Sequence, residues 1–288
     1  MNRCTNRSVF QAFIPLLLIG LVANAGAAQE EDGTWTKASE LSFVQTGGNA
    51  ESATLGVANL LSGDWGTTLL KFEVGGIRTS TTATTRLAVG STDAFQLTET
   101  SDSRVSAENY YARVRADKEI SERSALFAKA GWLRNTFAGI DARYVGVAGL
   151  SNQWFDSDVH RFATAYGVTF TSQNDVVPNP AVAGNFLGVQ VSLDYWRQLT
   201  DNSEWNSALV LDENGDRTQD FRADWVNSLA VAMSDNLALK TTFQILFDNE
   251  PSLVGVPLES AAGAPLGTVS VPLDQFDRVL TVALVINF

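Results

Sequence analysis

The stretch FDRVLTVALVINF, residues 276–288, decides the fold. Counting back from its end in steps of two gives only large apolar side chains: Phe288, Ile286, Leu284, Val282 and Leu280. The residues between them, from Asn287 back to Asp277, are smaller or more polar. Successive side chains of a strand point to opposite faces, so this pattern predicts a strand with one face in hydrocarbon and the other in a wetter environment.

The N-terminal residues predict a secretory signal peptide. Two arginines precede an apolar run over residues 9–22, and Ala25-Gly26-Ala27 supplies small residues for cleavage. The apolar run is shorter than the roughly 20 residues that a transmembrane helix needs. Cleavage after Ala27 divides the chain into a signal peptide, residues 1–27, and one barrel domain, residues 28–288.

Cysteine content and net charge limit the functional class. The only cysteine, Cys4, lies in the predicted signal peptide, so we expect neither disulfides nor thiol chemistry in the mature chain. The mature chain has 18 basic and 32 acidic residues, a net charge of −14. This balance argues against nucleic acid as a partner, because phosphate binding requires clustered Lys and Arg. With a single histidine, His160, the common zinc sites are also disfavoured, and we expect no metal or other cofactor.

Prolines and short polar turns divide the mature chain into strands. Every proline outside the signal peptide lies within residues 178–180 or 251–272, and proline is excluded from central strands. Short turns of Asp, Asn, Ser and Gly alternate along the chain with other connections, of which 81–105, 174–184 and 251–274 are long. This alternation is typical of transmembrane barrels, which have short periplasmic turns and longer external loops.

The sequence therefore predicts an all-β fold, a single antiparallel transmembrane β-barrel of about 12 strands, with 10 or 14 strands as alternatives. The predicted strands are 34–46, 52–62, 66–80, 106–119, 124–136, 141–154, 159–172, 185–198, 204–213, 219–233, 237–250 and 275–288. An even number of strands returns the C-terminus to the periplasmic side.

Charged residues on the polar face of these strands are predicted to line the lumen, because a lipid-facing Arg or Lys at the bilayer midplane costs roughly 2–4 kcal/mol. The candidates are Lys71, Glu73, Arg113, Arg115, Asp117, Lys129, Asp194, Arg222, Asp224, Lys240 and Asp277. Six are basic and five are acidic, which favours a packed or very narrow lumen over an ion path of one sign. Strands 34–46 and 141–154 alternate less clearly, and their faces are not assigned.

Two segments could carry other chemistry, and neither is favoured. His160 would need a nearby serine nucleophile, and it lies beside a short turn on the predicted periplasmic side, so we expect no catalytic residue and no enzyme. Residues 212–220 space oxygen atoms as a calcium loop does, but Arg217 and Ala223 stand where Gly and Glu are required. An Asn214–Gly215 turn is the favoured interpretation.

Two segments resemble a known family. SFVQTGGNAESATLGVA, residues 42–58, resembles its first hairpin. The stronger match is YYARVRADKEISERSALFAKAGWLRNTFAGIDARYVGVAGL, residues 110–150, with its Ile-Ser-Glu-Arg turn and its Phe-Ala-Gly-Ile-Asp hairpin. The family is the bacterial salt-induced outer-membrane proteins, a YdiY-like family with a domain of unknown function. Segments 81–105 and 251–274 look longer than is usual for it.

The resemblance implies an outer-membrane barrel in contact with lipid, and the family label implies a link to osmotic or salt stress. The final strand also resembles the terminal signal of bacterial outer-membrane barrels. This similarity implies recognition by the barrel-assembly machinery through Phe288, Ile286 and Leu284. The resemblance supplies no catalytic residues.

Three hypotheses for function follow. The first is an outer-membrane barrel with a structural, envelope-stress or narrow-pore role, which would pass small solutes or ions. The second is a lipid-acting outer-membrane enzyme that uses His160. The third, a secreted soluble β-sandwich that binds a ligand, is the least favoured, because a sandwich would not expose so many apolar side chains.

Overall fold

A computed structural model describes residues 33–46, 51–91, 94–136, 138–179 and 183–287. Within these ranges, twelve antiparallel strands close into a barrel and two more form a separate hairpin, which confirms the all-β barrel and its strand number. The barrel strands are β1 (Thr34–Thr46), β2 (Glu51–Asp64), β3 (Thr68–Ser91), β4 (Ala94–Ser121), β5 (Ser124–Asn135), β6 (Ile140–Asp156), β7 (His160–Asp175), β8 (Asn185–Thr200), β9 (Ser203–Asn214), β10 (Phe221–Ser234), β11 (Leu237–Asp248) and β14 (Phe276–Asn287). The separate hairpin consists of β12 (Leu253–Glu259) and β13 (Pro265–Pro272).

Each strand from β1 to β11 pairs with the next strand in the chain, and β14 closes the barrel between β11 and β1. β1 pairs with β2 along its whole length, from Thr34 to Thr46. Its pairing with β14 covers only Ala38 to Leu41. The closing seam is therefore the shortest ladder in the described barrel. Across the described ranges, we find no helix whose length and apolar character would let it cross a membrane.

The connection predicted over residues 81–105 is wrong, because β3 and β4 continue through it. Their ladder runs from Thr68–Lys118 to Ser91–Ala94, with one register shift next to Ser80. β2 pairs with β3 only as far as Thr82, so the rest of the ladder is a two-stranded ribbon that extends past β2. Such a ribbon buries neither face, and its Thr-rich sequence can therefore be polar while still favouring extended structure.

The connection predicted over residues 251–274 contains the hairpin β12–β13, whose side chains are mostly exposed. Three of its prolines lie within these two strands, at Pro257, Pro265 and Pro272. A two-stranded hairpin consists only of edge strands, and this is where a sheet tolerates proline. Proline is thus absent from the central strands, as expected. Its presence in a segment does not show whether that segment is an edge hairpin or an irregular loop.

The two faces of the barrel wall differ as the alternation predicts. On β14, Leu280 and Val282 are 69% and 50% exposed, whereas Ala283 and Val285 are buried. On β8, Leu187 is exposed and Ser192 is buried. Large apolar side chains therefore cover the outside of the barrel, and the inner face carries small and polar residues. A β-sandwich, which would bury its apolar face between two sheets, is excluded by this arrangement and by the closed barrel.

Candidate functional site: the charged lumen

The central feature of the lumen is a row of basic side chains. Lys71 on β3, Arg115 on β4 and Lys129 on β5 are direct cross-strand partners. The row continues to Val147 on β6, which is buried, while Phe72 on the other side of the wall is exposed. The row thus lies on the inner face.

Two acidic residues on the same wall partly neutralise this charge. Arg115 donates to the Asp117 carboxylate over 2.7 to 3.1 Å, and its guanidinium lies 4.4 Å from the centre of the Phe127 ring. In the next row, Arg113 Nη1 lies 3.7 Å from Glu73 Oε2. The wall formed by β3, β4 and β5 therefore combines four basic with two acidic side chains and keeps a net positive charge.

The wall formed by β8, β9 and β10 carries the opposite charge. Asp194 lies on β8, Asp212 on β9 and Asp224 on β10. Asp224 accepts a hydrogen bond from the neutral amide of Gln244 at 2.7 Å, and Asp212 accepts one from Gln190 at 2.9 Å. The hydrogen-bond donors of Asp212 and Asp224 are thus neutral amides, which bring no positive charge to these carboxylates.

One chain of hydrogen bonds joins the two walls. Lys129 Nζ donates to Gln190 Oε1 at 2.6 Å, and the amide nitrogen of Gln190 donates to Asp212. Near the seam, Lys240 on β11 donates to Glu40 on β1 at 2.6 Å, across the intervening β14. The lumen is therefore crossed by specific polar links and is not filled by apolar packing alone.

A second cluster occupies the end of the lumen that the longer connections cover. Arg222 donates to Asp220 over 2.8 and 3.0 Å, and Asn214 donates to the same carboxylate at 3.0 Å. Arg143 on β6 donates to Gln173 at 2.5 Å and lies 4.0 Å from Asp248 on β11, on the far side of the barrel. Burial raises the pKa of Asp220, but the hydrogen bonds and charge of Arg222, with Asn214, more than offset it and lower the pKa below its ordinary value.

The segment that follows β11 crosses this end of the barrel. Ser252 donates to Asp175 at the end of β7, and Glu250 pairs with Arg217 at 2.7 Å. A methyl group at Gly139, in the turn between β5 and β6, would lie 2.6 Å from Ser252 Cβ. Leu273 donates its backbone N–H to Ser252, so both arms of the connection lie together. We call residues 249–252 and 273–275 the cap.

Two separate cavities lie along the lumen, one at each end. The cavity beneath the cap measures about 360 Å³, and its lining includes Asp220, Arg222 and Ser252. The cavity at the end with the short turns measures about 590 Å³ and is lined in part by Lys71 and Asp194. Lys71 and Arg115 of the basic wall and Asp194 of the acidic wall thus border the cavity that the cap does not cover.

The remaining predicted residues lie away from these walls. Asp277 pairs in register with Leu246 near the start of β14. Ile286 and Leu284 are 36% and 38% exposed on the outer face of β14, next to the seam. Phe288 lies outside the described residues.

The two segments with alternative chemistry have structural contacts. Ser157 donates its hydroxyl to the backbone carbonyl of His160 at 3.0 Å and accepts from the His160 N–H at 3.2 Å, and the imidazole packs edge-on against Phe155. In the calcium-like segment, Asp220 accepts from Asn214 and Arg222, and the Asn214 side chain caps the turn by accepting from the N–H of Asp216.

Five charged residues of the lumen were absent from the sequence-based set: Glu40, Arg143, Asp212, Asp220 and Asp248. Glu40 and Arg143 lie on the two strands whose alternation was not clear. Asp248 shares the polar parity of β11 with Lys240, and that parity was the signal that could have identified it.

A family model described as "Protein of unknown function, DUF481" matches residues 39–255. The curated "Uncharacterized protein YdiY" of Escherichia coli K12 is 28% identical over 179 residues, which are 59% of this chain and 67% of that protein. Similar solved structures include a FadL homologue of Pseudomonas aeruginosa, with 12% identity, a TM-score of 0.35 and coverage of 82% of this chain and 68% of that one. An anion-selective porin from Comamonas acidovorans has 9% identity, a TM-score of 0.35 and coverage of 90% and 100%. Since the family model spans most of the described barrel, this chain is a β-barrel protein of the DUF481 family.

Proposed function

We propose that this protein is a narrow passive channel for small solutes or ions in the bacterial outer membrane. One observation carries the proposal. At the middle of the described wall, the side chains of Arg113 and Glu73 are 47% and 38% exposed although they face the interior of the barrel. A packed lumen would bury such side chains, and charges that stay accessible to water indicate a hydrated path.

The proposed location rests on the outer surface of the barrel. Its apolar side chains would be unfavourable in water and favourable in lipid, and the N-terminal sequence has the features of a cleaved export signal, although residues 1–32 lie outside the described ranges. We propose that the barrel-assembly machinery recognises β14 through its outer face. A role in salt or osmotic stress stays a prediction from the family resemblance.

We propose a channel and not an enzyme. The contacts of Ser157 with His160 involve the backbone of that residue and form a turn, whereas a nucleophile would need to reach the imidazole. We expect that His160→Ala leaves any lipid hydrolysis by the purified protein unchanged. A hydrolytic activity that disappears with this substitution would favour the enzyme.

The direct test is the recording of single-channel currents from the purified protein in planar bilayers. We expect a small, steady conductance in the wild type. Arg113→Ala and Arg115→Ala should each shift the ion preference toward cations, because each substitution removes a positive charge from the inner wall.

Lys118→Ala is the matched control. Lys118 lies on the same strand as these arginines but is exposed on the other face, where it donates to Thr67 and Thr68. Its removal subtracts the same charge and should leave the ion preference unchanged. Complete electrical silence of a folded protein would contradict the channel and favour a structural role for a closed barrel.

A further inference from the structure

The direct alignment of Lys71, Arg115 and Lys129 is unusual for a β-sheet. Like charges directly opposite one another destabilise neighbouring strands, and here three basic residues follow each other across three strands. The Asp117 carboxylate is bound by Arg115 alone. The repulsion in this row must therefore be compensated from elsewhere in the lumen.

The compensation comes from the opposite wall. Asp194 lines the same cavity as Lys71 and Arg115, and Lys129 is linked through Gln190 to Asp212. Asp224 interacts with Arg113 in the neighbouring row. The net charge thus differs in sign between the two walls: four basic and two acidic side chains on β3, β4 and β5 stand against three carboxylates and Arg222 on β8, β9 and β10. A difference of this kind creates an electric field perpendicular to the barrel axis.

A transverse field distinguishes solutes by the separation of their charges. A solute with one net charge is attracted by one wall and repelled by the other. A solute that carries both charges can orient with each group toward the wall of opposite charge. Its electrostatic interaction is then favourable with both walls. An uncharged solute of equal size is stabilised much less by the field.

We propose that the lumen between the basic and the acidic wall selects small zwitterions, solutes that carry an ammonium group and a carboxylate as amino acids do. The carboxylate faces Lys71, Arg115 and Lys129, and the ammonium group faces Asp194 and Asp224. The proposal rests on the channel function above and adds its substrate class. Lys71, Arg115 and Asp194 of these two walls line the 590 Å³ cavity at the short-turn end of the lumen, which has room for a solute of this size.

The test measures swelling rates of proteoliposomes that contain the full-length mature protein. The probes are alanine, lactamide, which has nearly the same size without charge, and lactate, which has a single negative charge. We expect alanine to enter about five- to tenfold faster than lactamide, in the range by which charged clefts raise the rates of matched ligands. Equal rates for alanine and lactamide would overturn the zwitterion proposal and leave the channel intact. The absence of swelling with every probe would overturn the channel itself.

The variant Asp194→Asn/Asp224→Asn removes two of the three carboxylates of the acidic wall with little change in shape. We expect its alanine rate to fall to the lactamide rate and its lactate rate to rise, while lactamide stays unchanged. The matched control is Asp274→Asn/Asp277→Asn, which removes the same charge at and before the start of β14. A control that loses alanine preference as strongly as the first variant would show that total charge, and not the two walls, determines selection. If the first variant does not fold, the wild-type rates alone still decide the proposal.

Discussion

The cluster beneath the cap and the charges at the middle of the lumen use the same residue types in different surroundings. Arg222 and Asp220 have side chains only 14% and 5% exposed, and they meet at 2.8 Å. Arg113 and Glu73 are 47% and 38% exposed, and they are 3.7 Å apart. A buried, closely bonded pair holds one geometry, whereas an exposed and loose pair can exchange its partner for water or solute. In the proposed channel, the first region would therefore maintain the closed end of the barrel, and the second would contact the solute.

The largest expected effect comes from removal of the cap. A variant in which a short Gly-Ser linker replaces residues 250–273 loses the contacts of Glu250 and Ser252 with Arg217 and Asp175. Since these contacts hold the segment across the barrel end, we expect conductance in planar bilayers to rise several-fold. The ion preference should change little, because the middle walls remain.

The control for this deletion shortens only the exposed hairpin. An Asn-Gly turn in place of residues 256–269 keeps the cap and the first pairs of β12 with β13, from Leu253–Pro272 to Gly255–Ser270. We expect wild-type conductance. If both deletions raise the conductance equally, the hairpin and not the cap restricts the path.

The stability of the two regions should also differ. Arg222→Met leaves the buried Asp220 without its cationic partner, and the expected loss in free energy of unfolding is about 3–5 kcal/mol. Arg113→Met breaks an exposed pair, and its expected loss is below about 1 kcal/mol. Urea unfolding in lipid vesicles, followed by tryptophan fluorescence, measures both values. Equal losses would show that the two regions are energetically alike despite their different exposure.

Acidification should reduce the stability that the cluster beneath the cap contributes, because Asp220 becomes protonated. Arg222 and Asn214 lower the pKa of Asp220, so its ionised form stabilises the folded barrel at pH values above the ordinary Asp pKa of about 3.9. This contribution is lost as the pH falls through the lowered pKa. The difference in unfolding free energy between the wild type and Asp220→Asn should therefore be large at neutral pH and shrink as the pH falls below the ordinary Asp pKa.

Asp201→Asn, in an exposed short turn between β8 and β9, is the control for this titration. It should leave the free energy of unfolding at neutral pH close to the wild-type value, because it changes an exposed side chain outside the cap. A difference for Asp220→Asn that grows on acidification would have the wrong sign and would contradict the lowered pKa.

The sequence was sufficient for the barrel because hydrocarbon outside and polar groups inside impose a period of two on each strand. Leu280 and Val282 on β14 illustrate this, since both lie on the lipid-facing side as their parity predicts. The period stops being informative where a strand pair leaves the membrane. The Thr-rich ribbon of β3 and β4 lacks the apolar alternation of the other strands, so its sequence predicts a connection where the structure has two strands.

The cluster beneath the cap could not be predicted for a different reason. Its contacts join residues far apart in the chain, such as Arg143 with Asp248, and depend on the path of the cap across the barrel. Asp220 shares the parity of Arg222 and Asp224 within the predicted strand 219–233, and that parity could have placed it in the lumen, but not its contact with Asn214. Local sequence patterns predict which face a side chain occupies, but not which distant partner it meets.

Glu40 illustrates both limits of the sequence, an unclear alternation and a distant partner, and it is the subject of the last prediction. Its partner Lys240 was predicted to face the lumen, but Glu40 lies on β1, where alternation is unclear. The two side chains meet at 2.6 Å over the short seam. They are 28% and 29% exposed, which lies between the exposures of the Arg222–Asp220 and Arg113–Glu73 pairs. A double-mutant cycle of Lys240→Met and Glu40→Gln should give a coupling energy of about 1 kcal/mol, as expected for a partly hydrated pair. Urea unfolding measures it. A coupling as large as the loss predicted for Arg222→Met would mean that distance, and not exposure, sets the strength of charge pairs in this lumen. The contrast between the cluster beneath the cap and the middle walls would then lose its physical basis.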